Sequence, residues 1–310
     1  MIKAIFFDID GTLLDHSPKG GGRMPPSTLR CLEALRKKGI KLFVATGRIP
    51  AMVTFLEDLF PFDGFVTLNG QLALDREGRV LHRMAHHPQD IRKLAELVEA
   101  DPFPCLVIEE KDSFFMVETP IIREHFQKEG LSAPGSYHIA RLEEHPILQF
   151  LAYIPKEEAQ RRLASLEHIE ITSAGGTILD IIPKEGGKEV GIQAVADRYG
   201  WQREELLVFG DGDNDARMLS WAAHSVALGN GTPAAKAAAG YVTTPVGRGR
   251  RAERPPPFRG ADGGGTPRGT GMTKAGWNNQ PAFYVPFLSF MSRPPGDSAC
   301  RGRGPFCRCT

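Results

Sequence analysis

Long apolar runs, paired cysteines and a dominant sign of charge are all missing from most of this 310-residue chain. No apolar run approaches the roughly 18 residues needed to cross a bilayer, and the N-terminus passes directly into a strand-like segment without a cleavable leader pattern. A cytoplasmic protein with no membrane partner is therefore expected. Within the first 245 residues the only cysteines are Cys31 and Cys105, far apart and without partners at metal-ligand spacing. That excludes a disulfide framework and a structural zinc site, and leaves both as small core hydrophobes. The 38 Lys plus Arg nearly balance 37 Asp plus Glu, a net charge of +1. Such a balance argues against a coat for nucleic acid or anionic membrane. No internal repeat is visible.

The balance conceals a split. Residues 246–310 hold 11 Lys plus Arg against 3 Asp plus Glu, together with 12 Gly, 9 Pro and 3 Cys. Apolar periodicity is almost absent there, so the segment cannot bury enough surface to offset chain entropy, and disorder is expected. An Arg/Gly-rich arm for nucleic acid is disfavoured because interleaved aromatics are scarce. The abrupt change of composition also fits a reading frame shifted near Val246.

In the remaining body, apolar runs at residues 2–7, 40–45, 65–68 and 206–209 alternate with helical patterns. One helix is expected to be capped by Ser27, with Leu29, Leu32 and Leu35 on one side and Gly39 as terminator. Another spans about residues 50–59, a third 188–199, and a fourth follows Asp213. Strands alternating with helices imply an α/β fold with a doubly wound parallel sheet. The rhythm breaks after Asn69-Gly70. Residues 71–74 and 79–83 flank 75–78 as a hairpin, and 105–109 and 113–118 form a second one. Helices near 91–98, 121–128 and 156–166 and strands at 147–154, 169–173 and 177–182 complete an α+β insertion. The expected division is a discontinuous core, 1–82 plus 186–245, a cap at 83–185 and a tail at 246–310.

Asp8-Ile9-Asp10-Gly11-Thr12 puts two carboxylates two residues apart at the carboxyl end of a buried strand, where an extended backbone points both the same way. Ligand sites of open α/β sheets lie at that end. Like charges so close need a cation or a shared proton. Thr46-Gly47-Arg48, Lys188 and the stretch Asp211-Gly212-Asp213-Asn214-Asp215 stand at other strand ends or helix starts. Carboxylates for a divalent cation, with a hydroxyl, an ammonium and an amide for phosphoryl oxygens, are what phosphoryl transfer requires.

The order and spacing of Asp-Ile-Asp-Gly-Thr-Leu-Leu at 8–14, Ala-Thr-Gly-Arg at 45–48, Lys188 and Gly-Asp-Gly-Asp-Asn-Asp at 210–215 resemble the haloacid dehalogenase superfamily, in particular its Cof-like phosphatases with a large inserted cap. The resemblance covers roughly residues 1–245. It implies a Mg²⁺-dependent phosphatase of a small phosphorylated metabolite, such as a sugar phosphate or a phosphorylated cofactor. By the same resemblance Asp8 is the nucleophile and Asp10 the general acid and base. Asp8, Asp211 and the backbone carbonyl of Asp10 are the implied Mg²⁺ ligands. Thr46, Gly47, Lys188 and Asn214 are the implied phosphate contacts, with Asp215 orienting Lys188 or a metal-bound water. Arg48 and Asn69 resemble family positions that touch substrate. The family would usually continue past Pro245 with a short acidic stretch and a last helix; this chain departs there.

Duller readings exist for each feature. Acidic residues beside Gly form turns, and Arg48 and Asn69 suit a surface salt bridge or a turn almost as well. Asp211, Asp213 and Asp215 imitate a calcium loop, but Ala216 stands where that loop needs Gly and Ala222 where it needs Glu. Lys184 is the fallback for Lys188. His82, His86, His87, His125, His138 and His145 are read as surface or substrate-contact residues, and Phe114, Phe115 and Phe150 as sheet packing. A phosphomutase would use the same residues but return the phosphoryl group to substrate. A non-catalytic binder of phosphorylated metabolites is disfavoured by the presence of both Asp8 and Asp10.

Overall fold

The computed structural model describes residues 1–17, 22–173 and 178–247. The tail and the proposed shift of frame therefore lie, all but Val246 and Gly247, outside the described residues. Strands β1 (Ala4–Phe7), β2 (Lys41–Ala45), β3 (Gly64–Thr67), β4 (Leu72–Asp75) and β5 (Val80–Arg83) come first in the chain. They enclose helices α1 (Pro26–Lys37) and α2 (Phe55–Leu59). Next follow α3 (Pro88–Ala100), β6 (Cys105–Ile108), β7 (Ser113–Val117), α4 (Pro120–Lys128) and β8 (Gly135–Ser136). Strand β9 (Gln149–Ala152), α5 (Lys156–Arg162), β10 (Ile169–Thr172) and β11 (Leu179–Pro183) come after these. The described chain ends with α6 (Lys188–Tyr199), β12 (Leu206–Gly210), α7 (Ala216–Trp221), β13 (His224–Ala227), α8 (Pro233–Ala238) and β14 (Tyr241–Val242).

Eight strands form one sheet in the order β14-β13-β12-β1-β2-β3-β4-β5. All neighbours from β14 to β3 are parallel, and β4 and β5 add an antiparallel edge. The six remaining strands make a second sheet, β10-β11-β9-β6-β7-β8, antiparallel except for the β7–β8 pair. The fold is thus α/β with a parallel-sheet core. β1 is buried on both faces, as an all-apolar run in a parallel sheet must be. Phe7 and Phe209 pack with Leu32 and Leu35 of α1 on one face, while Phe6 and Phe43 pack with Ile192 and Val195 of α6 on the other. The Phe6 and Phe43 rings stack at 4.9 Å.

The second sheet has its own two faces. Cys105, Val107, Phe150, Ala152 and Ile181 turn toward α3 and α5. Leu106, Ile108 and Leu151 turn the other way and meet Ile49, Met52, Leu68 and Leu72 of the first unit. A buried apolar seam therefore joins the two sheets beside the carboxyl ends of the parallel strands.

Local expectations fare unevenly. Helix α6 has the expected bounds, but Ser27 does not cap α1. Pro25 is the N-cap, Pro26 opens the helix, and no side chain caps it. Proline pre-sets the helical φ at a position whose N–H is unpaired anyway. The helix expected at 50–59 is a 3-10 turn at Pro50–Met52 followed by α2. The helix after Asp213 likewise begins as a 3-10 turn, Asp213–Asp215, before α7. His86 is buried at 3% exposure rather than at the surface. Its Nε2 lies 3.1 Å from the Ile181 carbonyl, and burial pushes its pKa down to about 4, keeping it neutral. Among the described residues no helix is long and apolar enough to cross a membrane.

Candidate active site

Asp8 and Asp10 follow β1, whose register continues as Asp8 N–H donates to the Phe209 carbonyl at 2.9 Å. Gly11 turns the chain with φ +83°, and a Cβ there would lie 2.2 Å from Asp211 Oδ2. Only glycine permits both that backbone and that approach. Asp211, just past β12, is then held by Thr12 Oγ1 at 2.7 Å and Asn230 Nδ2 at 3.0 Å.

Lys188 opens α6 and is almost wholly buried, 1% exposed. Its Nζ donates to Asp8 Oδ1 and to Asp215 Oδ1, each at 2.6 Å. The other oxygen of Asp215 accepts from the backbone N–H groups of Asp211 and Gly212, both at 2.8 Å. Asp8, Asp211 and Asp215 each offer an oxygen within 4.8 Å of the others. Crowding of this kind leaves its mark on ionisation. Burial, then the charge of Asp215, raises the Asp8 carboxyl well above its usual range, against the pull of Lys188. Burial raises Asp211 to about 6 despite the Thr12 hydrogen bond, with Asp215 adding to the rise. Burial works against the charge of Lys188, but Asp215 and Asp8 outweigh it and keep the ammonium protonated. An all-oxygen cluster that resists holding its own charge fits a hard divalent cation.

Asp10 faces a different set of partners. Arg48 grips its carboxylate with Nε at 2.8 Å and a second guanidinium nitrogen at 2.9 Å, and His16 Nε2 lies 2.7 Å away. Burial works against ionisation of Asp10, but hydrogen bonds from Arg48 and His16 overcome it and hold the carboxyl well below the usual range. The remaining nitrogen of Arg48 donates to Glu129 Oε2 at 2.6 Å, just beyond α4. Arg48 thus ties the end of β1 to the second unit.

Thr46 follows β2 and hydrogen-bonds through its backbone to Val66 and Asn69. Asn69 sits in a turn where it and Leu68 both have positive φ, 51° and 54°. Asn tolerates that region; a branched residue such as Leu does not, and two in a row mark a strained turn beside a site. The turn aims the Asn69 amide at two partners. Asn214 Nδ2 donates to Asn69 Oδ1 at 3.0 Å, and Asn69 Nδ2 donates to Gln149 Oε1 at 3.2 Å. Gln149 Nε2 in turn donates to Asp180 Oδ1 at 3.0 Å.

A cavity of about 290 Å³ lies between the two sheets. Asp8, Asp10, Thr46, Gly47, Arg48, Asp211 and Asn214 line it from the first unit. Lys188 and Asn69 stand behind that wall, bonded to residues that line it. With Asp215, which accepts from the Asp211 and Gly212 amides, all ten expected site residues are therefore gathered around one cavity or one bond removed from it. Lys184, the fallback, is exposed and elsewhere. Gln149, Asp180, His125 and Glu129 also reach the cavity, and sequence reasoning did not assign them a role there beyond grouping His125 with possible contacts. Asp180 did leave a signal, a carboxylate within the apolar stretch at 178–182.

The family model for haloacid dehalogenase-like hydrolases matches residues 5–247. YkrA of Bacillus subtilis (strain 168) is 28% identical over 245 residues, 79% of this chain and 93% of that protein. YitU of the same organism, a 5-amino-6-(5-phospho-D-ribitylamino)uracil phosphatase, is 25% identical over 270 residues, 77% of this chain and 91% of that protein. The solved structure of the subclass IIB sugar phosphatase BT4131 aligns with a TM-score of 0.70 at 32% identity, over 78% of this chain and 94% of that one.

Proposed function

The chain belongs to the haloacid dehalogenase-like hydrolases and is a phosphatase of that family; from this premise we propose that it hydrolyses a small phosphorylated metabolite, with Mg²⁺, through an aspartyl-phosphate. The observation that carries the reading is Lys188 locked between Asp8 and Asp215, with Asp211 closing the cluster at the cavity wall. Asp8 and Asp211, with the Asp10 backbone carbonyl, would hold Mg²⁺, which when bound neutralises charge on a phosphoryl oxygen.

In the first half of the cycle an Asp8 carboxylate oxygen attacks phosphorus and forms an acyl phosphate. The ester bond breaks, and the departing alkoxide takes a proton from Asp10. In the second half Asp10 takes a proton from water, the water oxygen attacks phosphorus, and phosphate leaves as Asp8 is restored. Lys188 offsets repulsion between the phosphoryl oxygens and Asp8, and Thr46, Gly47 and Asn214 offer donors to the oxygens not taken by the metal. Gripped by Arg48 and His16, Asp10 is poised for the second half. For the first half it must carry a proton, so Arg48 must release it once substrate is bound.

We assign residues 1–82 plus 186–245 to the catalytic core and 83–185 to a cap that closes over it. The second sheet, drawn entirely from the inserted stretch, supports that division. The cavity volume suits a small leaving group, and YitU and BT4131 act on a phosphoribityl compound and on sugars by their names. The buried free thiols of Cys31 and Cys105 suit a cytoplasmic setting. Phosphate release across a panel of phosphorylated metabolites tests the reading. Release with Mg²⁺ that stops with a chelator is expected; equal release in both conditions would reject the metal, and none at all the activity.

A further inference from the structure

The wall that the second sheet presents to the cavity is apolar but for Gln149 and Asp180, and Asp180 is its one carboxylate. In register across three strands lie Leu106 of β6, Leu151 of β9 and Asp180 of β11. Ile178 precedes Asp180 on the same face, while Leu179 and Ile181 point into the opposite cluster. Asp180 is therefore a carboxylate set among Leu106, Leu151 and Ile178, all four lining the cavity opposite the phosphoryl site. Its hydrogen-bond donors are uncharged amides, Gln149 Nε2 at 3.0 Å and the Asn69 side chain, and among the described residues no Lys, Arg or His forms an ion pair with it. Burial pushes its carboxyl up to about 6, even though Asn69 and Lys188 pull the other way.

An ionisable group with only neutral donors on a largely apolar wall is costly to keep there. Gln149 is itself held from behind by Asn69, which accepts from Asn214, so the carboxylate is anchored by a chain of amides. A carboxylate can accept several hydrogen bonds, which leaves capacity for a donor supplied from the cavity. Resting on the phosphatase reading, we propose that Asp180 selects the alcohol half of the substrate: the preferred phosphomonoester carries a hydrogen-bond donor, a hydroxyl or an ammonium, on a group that is otherwise apolar toward Leu106, Leu151 and Ile178. A site built to hydrogen-bond a substrate rejects the analogue that lacks the donor far more strongly than an apolar pocket discriminates by size.

The test uses the full-length enzyme with Mg²⁺ and three matched series of esters, n-alkyl, ω-hydroxyalkyl and ω-aminoalkyl phosphates of three to six carbons. For the wild type, kcat/KM for one donor-bearing series is expected to exceed that of the equal-sized alkyl ester by about tenfold or more at the best chain length. In Asp180→Leu that ratio should fall to within twofold of one or invert. Asp180→Asn separates the two donors. It should collapse a preference for ammonium, which depends on charge, and keep part of a preference for hydroxyl, to which the amide oxygen still offers an acceptor. Wild-type ratios within twofold of one at every length overturn the proposal, as does a tenfold ratio that survives in Asp180→Leu. Should Asp180→Leu fail to fold by circular dichroism, the wild-type ratios together with those of Asp180→Asn decide. Absence of Mg²⁺-dependent phosphate release from every ester is a separate result, and it rejects the phosphatase reading itself.

Discussion

On one side the cavity is walled by Asp8, Asp10, Arg48 and Asp211; on the other, besides Glu129 at the rim with Arg48, the second sheet contributes Leu106, Leu151, Ile178, Gln149 and one carboxylate, Asp180. Charges in the first wall come in compensating sets, Lys188 with Asp8 and Asp215, Arg48 with Asp10 and Glu129. The second wall has no such compensation at Asp180. The contrast separates two demands. Phosphoryl transfer needs fixed charge that costs no reorganisation when the transition state forms, so its groups are bonded to one another before substrate arrives. Recognition of a leaving group needs the reverse, an acceptor whose remaining capacity the ligand satisfies.

Replacing Asp8 with Asn should produce the largest effect and tests whether the first wall alone carries the chemistry. Loss of the nucleophile is expected to lower kcat by roughly 10⁴-fold or more. Phosphate release retained within tenfold would move the nucleophile elsewhere. Stability comes next. Lys188→Met strands two buried carboxylates and should cost about 3–5 kcal/mol in urea unfolding, whereas Asp180→Leu, which strands only the neutral Gln149 amide, should cost no more than about 1–2 kcal/mol. Similar losses at both positions would erase the distinction drawn between the walls.

The two walls also hold one carboxyl each whose pKa is pushed up to about 6, Asp211 and Asp180. Each binds its proton more tightly folded than unfolded. Stability from that proton is fully present below pH 4 and is lost as pH rises through about 6, by on the order of 1–3 kcal/mol. Mg²⁺ should reverse the part due to Asp211 and to Asp8, whose carboxyl is also raised and which would likewise ligate it, and leave the part due to Asp180. Calorimetric Tm values between pH 4.5 and 7.5, with Mg²⁺ or chelator, check this. Asp211→Asn should abolish the Mg²⁺ effect and Asp180→Asn should shrink what Mg²⁺ does not reverse. An unchanged pH slope in Asp180→Asn would show that its carboxyl titrates normally.

How readily each wall could be read from sequence follows from how it is built. Asp8, Thr46 and Asp211 sit in short contiguous patterns at strand ends, so alternation of apolar runs was enough to bring them to one edge of the sheet, whereas Lys188, a single residue at a helix start, was singled out only by the order of motifs in the resemblance. The second wall depends on register among β6, β9 and β11, and no local pattern states which residue of one strand lies opposite which of another. Asp180 could be noticed as an acid in an apolar stretch, but not that it faces Leu151 rather than solvent. The grip of Arg48 on Asp10 spans 38 residues and depends on loop geometry. Ser27 misled because a good capping side chain competes there with Pro25-Pro26, whose fixed φ starts the helix without one. Short elements such as α8 and β14 carry too few residues for periodicity to register.

Arg48 is where the two walls touch, and the smallest expected effect lies there. Its guanidinium makes two hydrogen bonds to Asp10 and one to Glu129. If Arg48 must release Asp10 before the leaving group can be protonated, Glu129 is the carboxylate that competes for it. Glu129→Gln removes that competition and leaves Arg48 more firmly on Asp10. The pair is partly exposed, with side-chain exposures of 18% and 29%, so its worth is at most about 1 kcal/mol. That corresponds to a two- to fivefold fall in kcat at saturating Mg²⁺. Steady-state kinetics at pH 7 measures it. A kcat that stays level or rises would mean that Arg48 does not hold Asp10 back during turnover, and that the two walls meet at Arg48 for structure alone.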